Sequence, residues 1–209
     1  MDITKIKENL KNFYNKEADA RDSSVKLGWK LRIREEYCGL IKLENKTSLI
    51  ELGAGAGHDS LYFMNNGLQV TAVDISVEMA AKCAERGIEA YVLDYYEIKT
   101  LNRKFDCAWA VNTLLHVPKG DLPHVLDEIS GVLNEGGLFY LGLYGGNDSE
   151  MDFVKSDISD VPRFYALHSE KFLRSVLENR YEILSYEPIE VTDRGPEFTL
   201  FHSFTLRRK

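Results

Sequence analysis

The hydrophobic positions of the chain switch repeatedly between the short apolar runs of strands and the 3.6-residue repeat of helices. Ser48–Leu52 reads as a strand, and residues 57–66 as a helix closed by Gly67. Residues 69–73 form a second strand. Ser76 then caps a helix with Met79, Ala80, Cys83 and Ala84 on one face and Gly87 at its end. Residues 89–93 and Phe105–Val111 are the third and fourth strands. The clearest helix spans residues 121–134, with Leu122, Val125, Leu126, Ile129, Val132 and Leu133 on one face and Pro123 tolerated in the first turn. Gly136-Gly137 ends it, and residues 138–144 are the fifth strand. Such alternation predicts an α/β fold: a doubly wound, mostly parallel sheet with helices on both faces.

The two ends depart from the alternation. Helical segments at residues 6–14 and 24–41 precede the first strand. Residues 144–169 are polar and weakly periodic, which predicts a substrate-side loop or lid. Beyond it Ser169 caps a helix carrying Phe172, Leu173, Val176 and Leu177. Strands at 181–189 and 198–206, joined by a turn at Asp193-Arg194-Gly195-Pro196, bring the sheet to seven strands and pair antiparallel, because the link is too short for a parallel crossover.

Composition narrows the function classes. A hydrophobic fraction of 44% and a charged fraction of 28% are those of a soluble globular domain. The net charge of −7 argues against nucleic acid, which requires clustered Lys and Arg; the basic end Arg207-Arg208-Lys209 reads as a solvated tail. The opening Met1-Asp2-Ile3-Thr4-Lys5 is no signal peptide, and no run approaches the ~20 apolar residues of a membrane helix, so a cytoplasmic location is expected. Cys38, Cys83 and Cys107 are odd in number and widely spaced, as reduced, buried thiols would be. His58, His116, His124, His168 and His202 show no ligand spacing, and no metal is expected.

The chemistry gathers at the carboxyl ends of the first three strands. Gly53-Ala54-Gly55-Ala56-Gly57 makes a tight turn into a helix, permitting close approach of a ligand to the backbone. Asp74 closes the second strand, where α/β proteins place an acid for ribose hydroxyls, and Asp94 closes the third. A nicotinamide dinucleotide fingerprint requires G-x-G-x-x-G; here the third position is His58, and Glu51 adds negative charge that suits a cationic ligand better than a diphosphate.

The run Leu49-Ile50-Glu51-Leu52-Gly53-Ala54-Gly55-Ala56-Gly57 resembles motif I of the class I S-adenosylmethionine-dependent methyltransferases. Val70-Thr71-Ala72-Val73-Asp74-Ile75-Ser76, followed by Met79, is similar to the family's second-strand motif. The segment from Phe105 to Asn112, with Leu114-Leu115-His116-Val117-Pro118 after it, resembles the fourth-strand motif, and Leu133-Asn134-Glu135-Gly136-Gly137 the "L-x-P-G-G" turn with Glu135 in place of proline. The resemblance covers about Tyr14 to Tyr144, in order. It implies S-adenosylmethionine as cofactor, with Glu51 and Gly53 facing its amino group and Gly55 and Gly57 letting the loop curl beneath it. Asp74 would take the ribose, Ile75 and Met79 pack on adenine, Asp94 meet the adenine amino group beside Tyr95, and Asn112 lie near the sulfonium. Phe13-Tyr14-Asn15-Lys16-Glu17-Ala18 looks like the family's "Y-x-x-x-A" cap, with Tyr14 over the cofactor.

On that resemblance the chain is one domain: a helical cap (1–44), a cofactor-binding core (45–144) and a substrate-side region with the terminal hairpin (145–209). Methyl transfer is an in-line displacement in which positioning does much of the work, and a base is required only for a protonated acceptor. His116 and His168 are the base candidates and Tyr144 a candidate for the acceptor pocket; none is assigned a catalytic role. Asn112-Thr113-Leu114-Leu115-His116 does not resemble the "N/D-P-P-Y" signature of amino-group methylation on bases or glutamine, which leans towards a small-molecule acceptor. The alternatives are a protein that binds S-adenosylmethionine without turnover and, behind it, a nicotinamide-dependent oxidoreductase.

Overall fold

The computed structural model describes residues 2–24, 28–155, 159–191 and 198–209, with Lys155 and Ser159 described by backbone alone. Three helices lead: α1 (Ile3–Lys16), α2 (Ala18–Asp22) and α3 (Gly28–Leu43). The core alternates as β1 (Ser48–Leu52), α4 (His58–Asn65), β2 (Gln69–Asp74), α5 (Val77–Glu85), β3 (Glu89–Val92), β4 (Phe105–Val111), α6 (Leu122–Val132) and β5 (Leu133–Gly145). Short 3₁₀ turns at Ile98–Leu101 and Leu114–His116 flank β4. The hairpin β6 (Ser149–Lys155) and β7 (Ser159–Leu167), α7 (Glu170–Leu177), β8 (Tyr181–Glu190) and β9 (Leu200–Arg208) complete the chain.

Seven strands form one sheet in the order β3-β2-β1-β4-β5-β9-β8, parallel from β3 through β5 and antiparallel at β9 and β8. Side-chain alternation sends neighbouring residues to opposite faces. Trp109 and its partner Tyr140 stack at 4.3 Å on the face covered by Tyr37 of α3 and Phe63 of α4. On the other face Phe139 meets Tyr181, whose hydroxyl donates to the Leu126 carbonyl of α6. Two helical layers on a largely parallel sheet match the doubly wound expectation.

One buried polar node ties α3 to this core. Arg34 Nη1 lies 3.0 Å from Asp59 Oδ1, and Trp109 Nε1 donates to Asp59 Oδ2 at 3.2 Å, with Asp59 only 5% exposed. Removing the cation takes a charge partner from a largely buried carboxylate, so Arg34→Met should cost about 3 kcal/mol. Urea unfolding checks this; a loss below about 1 kcal/mol would show the pair to be dispensable.

The differences from the sequence reading are local. The helix expected over 121–134 stops at Val132, because Leu133 turns extended (φ −86°, ψ 149°) and enters a longer β5. The first helix is longer than expected, capped by Asp2, and α2 is an addition. The second helical segment, expected over 24–41, is observed as Gly28–Leu43, with Ser24 outside the helix; residues 25–27 and the turn at 193–196 lie outside the described residues. The lid expected as a loop is the antiparallel pair β6–β7. Phe164 and Ala166 of β7 bury themselves against Ile6 and Leu10 of α1, so the hairpin gains its apolar partner from the far end of the chain.

Candidate functional site

Strand order reverses between β1 and β4, and the loops leaving their carboxyl ends diverge around a crevice there. A cavity of about 400 Å³ occupies it. Of the candidates read from sequence, Tyr14, Glu51, Gly53, Gly55, Asp74, Ile75, Met79, Tyr95, Asn112 and His116 all line this cavity.

Asp74 is the electrostatic centre. Its Oδ2 accepts from Gly55 N–H and its Oδ1 from Ser76 N–H, both at 2.9 Å. Burial raises its pKa to about 6, against the pull of those backbone donors. The carboxylate is therefore ionised at neutral pH, with lone pairs left to face a ligand. Glu51, 5% exposed, receives the Ser60 hydroxyl of α4. Ile75, Met79, Leu93 and Tyr95 add an apolar slot beside the two acids.

The glycine loop is held from three sides. Ala54 N–H donates to Val73 O at 3.1 Å, the Cys83 thiol to Gly55 O at 3.2 Å, and Gly53 lies against Thr113. Burial pushes the Cys83 thiol up to about 12, so it acts as a neutral donor. Gly57 is not on the cavity lining. It caps α4 with φ +80°, and a Cβ there would meet Cys83 Sγ at 2.8 Å, so it allows α5 to pack closely.

Asp94 also stands off the lining. It is ion-paired to Lys7 of α1 at 2.7 Å and accepts Tyr96 N–H at 3.0 Å, while its neighbours Leu93 and Tyr95 face the cavity. Tyr144 and His168 likewise do not line it. Tyr144 packs edge-on to Phe198 and Phe201, and the His168 ring is buried beside Phe172.

Asn112 follows β4 in the left-handed region (φ +56°) and donates its N–H to Gly142 O at 2.7 Å. Its Oδ1 is buried and without a hydrogen-bond partner. An orphaned acceptor on a cavity wall is the kind of group a polar or cationic ligand satisfies.

His116 joins cap and hairpin. Phe164 O can only accept, so His116 Nδ1, 2.7 Å away, carries the proton, and Nε2 accepts from the Tyr14 hydroxyl at 2.8 Å. Burial lowers the histidine's pKa to about 3 and keeps it neutral. Asn15 anchors the same helix by accepting the Ser76 hydroxyl at 2.7 Å, which fixes Tyr14 over the cavity. Asn15, Arg21, Lys30 and Thr113 escape the sequence reading. Arg21, Lys30 and Thr113 reach the lining through tertiary packing, and no local pattern marks any of the four. Among the described residues no cluster of histidine, cysteine and carboxylate could hold a metal, and no helix is long and apolar enough to cross a membrane.

Residues 49–137 match the family model described as a methyltransferase domain. Over its whole length the chain resembles solved structures at low identity. The 1,6-didemethyltoxoflavin-N1-methyltransferase of Burkholderia thailandensis, with 1,6-didemethyltoxoflavin and S-adenosylhomocysteine bound, is 18% identical with a TM-score of 0.72 over 99% of this chain and 88% of that one. The magnesium protoporphyrin IX methyltransferase of Synechocystis PCC 6803 is 13% identical with a TM-score of 0.73 over 100% and 98%. An S-adenosylmethionine-dependent methyltransferase of Clostridium acetobutylicum ATCC 824 is 17% identical, TM-score 0.69, over 93% and 98%. No curated protein matches by sequence.

Proposed function

We propose that the chain is a class I S-adenosylmethionine-dependent methyltransferase, as the methyltransferase-domain match over residues 49–137 supports, and that it methylates a small organic acceptor enclosed beneath α1 and the β6–β7 hairpin. The observation that carries this is the convergence of Glu51, Asp74 and the partnerless Asn112 Oδ1 on one cavity at the β1–β4 reversal. Two acids and an orphaned acceptor suit a ligand bearing an ammonium, a sulfonium and a ribose, and do not suit a diphosphate.

S-adenosylmethionine, when bound, supplies a methyl group on a cationic sulfur that is already a good leaving group. In this reading Asp74 takes the ribose hydroxyls, Ile75, Met79, Leu93 and Tyr95 hold the adenine, and Glu51 faces the amino group. Arg21, on the lining with no carboxylate partner among the described residues, meets the cofactor's carboxylate. Asn112 Oδ1 turns negative potential towards the sulfonium side. Asp94 acts one layer back, holding α1 to the β3 edge through Lys7.

His116 serves here to position Tyr14 and does not act as the base. A neutral ring with a pKa near 3, its Nε2 already engaged, is a weak proton acceptor at neutral pH. By taking the Tyr14 proton in a hydrogen bond it aims the phenol's lone pairs at the cavity. Fixed dipoles placed where positive charge must be held are an efficient form of catalysis. Closure by α1 and the hairpin favours a small acceptor over a polymer. The acceptor named for the Burkholderia relative, 1,6-didemethyltoxoflavin, is of that class.

The direct test is thermal. S-adenosylhomocysteine should raise the melting temperature by several degrees at saturating concentration, whereas NAD and NADP should leave it unchanged. Stabilisation by the dinucleotides in place of S-adenosylhomocysteine would overturn the reading.

A further inference from the structure

Arg163 of β7 is 6% exposed, yet among the described residues it meets no carboxylate. Its guanidinium sits 4.1 Å from the ring centroid of Phe13 and 5.3 Å from that of Tyr165, and its Nε is buried without a hydrogen-bond partner. Elsewhere the fold pairs arginines with acids, as Arg34 with Asp59, Arg103 with Glu89 and Arg207 with Glu44. The chain has 33 acidic residues to 26 basic ones, so a counter-ion was not in short supply. Burying a cation without a partner is unfavourable, and aromatic faces compensate only in part.

Its position gives the unpaired charge a use. The Tyr165 ring lies 4.9 Å from that of His116, which lines the cavity, and Phe198 and Phe153 flank Tyr165 at 5.2 and 6.0 Å. Arg163 therefore stands behind His116, one aromatic ring removed from the cavity lining and on the hairpin strand β7. Two arginines that meet no acid among the described residues flank consecutive residues of α1: Arg21 lies over Tyr14, and Arg163 over Phe13. In the reading above the cofactor brings one carboxylate, and Arg21 meets it. Arg163 is left for an anion that the cofactor does not carry.

We propose that Arg163 recognises an anionic group, a carboxylate or a phosphonate, on a planar acceptor whose ring packs against Tyr165, Phe153 and Phe198. The planar fork of a guanidinium matches either oxyanion bidentately. The hairpin thus closes the site and also selects the acceptor by charge. This rests on the methyltransferase reading.

Calorimetry on the S-adenosylhomocysteine complex tests it with benzoate and phenylphosphonate against the neutral counterparts benzamide and benzyl alcohol. At least one anion should bind wild type about tenfold tighter than its counterpart. Arg163→Met should abolish that preference, Arg163→Lys should keep part of it, and neither should alter S-adenosylhomocysteine affinity. No preference for either anion in wild type, or an undiminished preference in Arg163→Met, overturns the proposal. Should Arg163→Met fail to fold, Arg163→Gln carries the same comparison, and the wild-type arm alone can still refute it. Failure of S-adenosylhomocysteine to bind at all would instead overturn the underlying reading, so the two failures are distinct.

Discussion

Asp74→Ala is expected to weaken S-adenosylhomocysteine binding at least about a hundredfold while leaving a folded protein. Two hydroxyl-to-carboxylate hydrogen bonds at about 1.5–3 kcal/mol each set that scale. The fold should survive because opposing effects meet at this residue. Its removal leaves the N–H groups of Gly55 and Ser76 without their acceptor, but it also removes a charge that burial disfavours. The sign of the pH dependence follows. The folded pKa, about 6, lies above the ordinary carboxylate value of 3.8, so between those values the native state holds the proton more tightly than the unfolded chain. Asp74 therefore favours the fold most at low pH, and this contribution is lost as pH rises through that window. Ligand affinity runs the other way, because the ribose hydroxyls require an ionised acceptor. Wild-type affinity should fall below about pH 6, and Asp74→Asn should lack that inflection. Calorimetry between about pH 5 and pH 8 reads both. Unchanged affinity in Asp74→Ala would remove the ribose assignment.

How much of this the sequence reveals depends on whether the signal is local. The strand, glycine turn and helix from Ser48 to Asn65 are written in consecutive residues, and so is the acid that closes β2. The amphipathic face from Leu122 to Val132 is likewise a one-helix pattern, which is why α6 is plain even though its last turn is not. Residues 149–167 fail as a strand signal because their apolar partner is α1, more than a hundred positions away. The same holds for single residues. Asp94 looks like a lining acid until Lys7, at the other end of the chain, is found holding it. His116 is only a base candidate in the sequence, and the structure shows its two nitrogens bound to Tyr14 and Phe164. Gly57 belongs to the loop in sequence and to the α4–α5 contact in space. Motif spacing thus gathers candidates that line one cavity, while the direction in which each side chain faces is a tertiary property.

Gly53→Ala should be among the most damaging single-methyl changes at the described glycines, costing about 3 kcal/mol or more. Two costs combine. The backbone at Gly53 has φ +62°, a region where any Cβ is strained by about 1 kcal/mol. The added carbon would also lie 2.2 Å from Thr113 Oγ1 and 2.6 Å from Thr113 Cβ. Thr113 cannot move aside cheaply: it is β-branched, buried, and starts the 3₁₀ turn that places His116. The glycine loop is tied to β2 through Ala54 N–H and to α5 through Gly55 O, so it cannot retreat without breaking those bonds. The two costs separate in a double mutant. Thr113→Gly removes the overlap but leaves φ unchanged, so Gly53→Ala/Thr113→Gly should be less destabilised than the sum of its single changes by about 1–3 kcal/mol. Urea unfolding of the four proteins measures this coupling. Additive losses, or a Gly53→Ala protein within about 0.5 kcal/mol of wild type, would mean that the β1 loop and the β4 turn do not lock each other as the geometry requires.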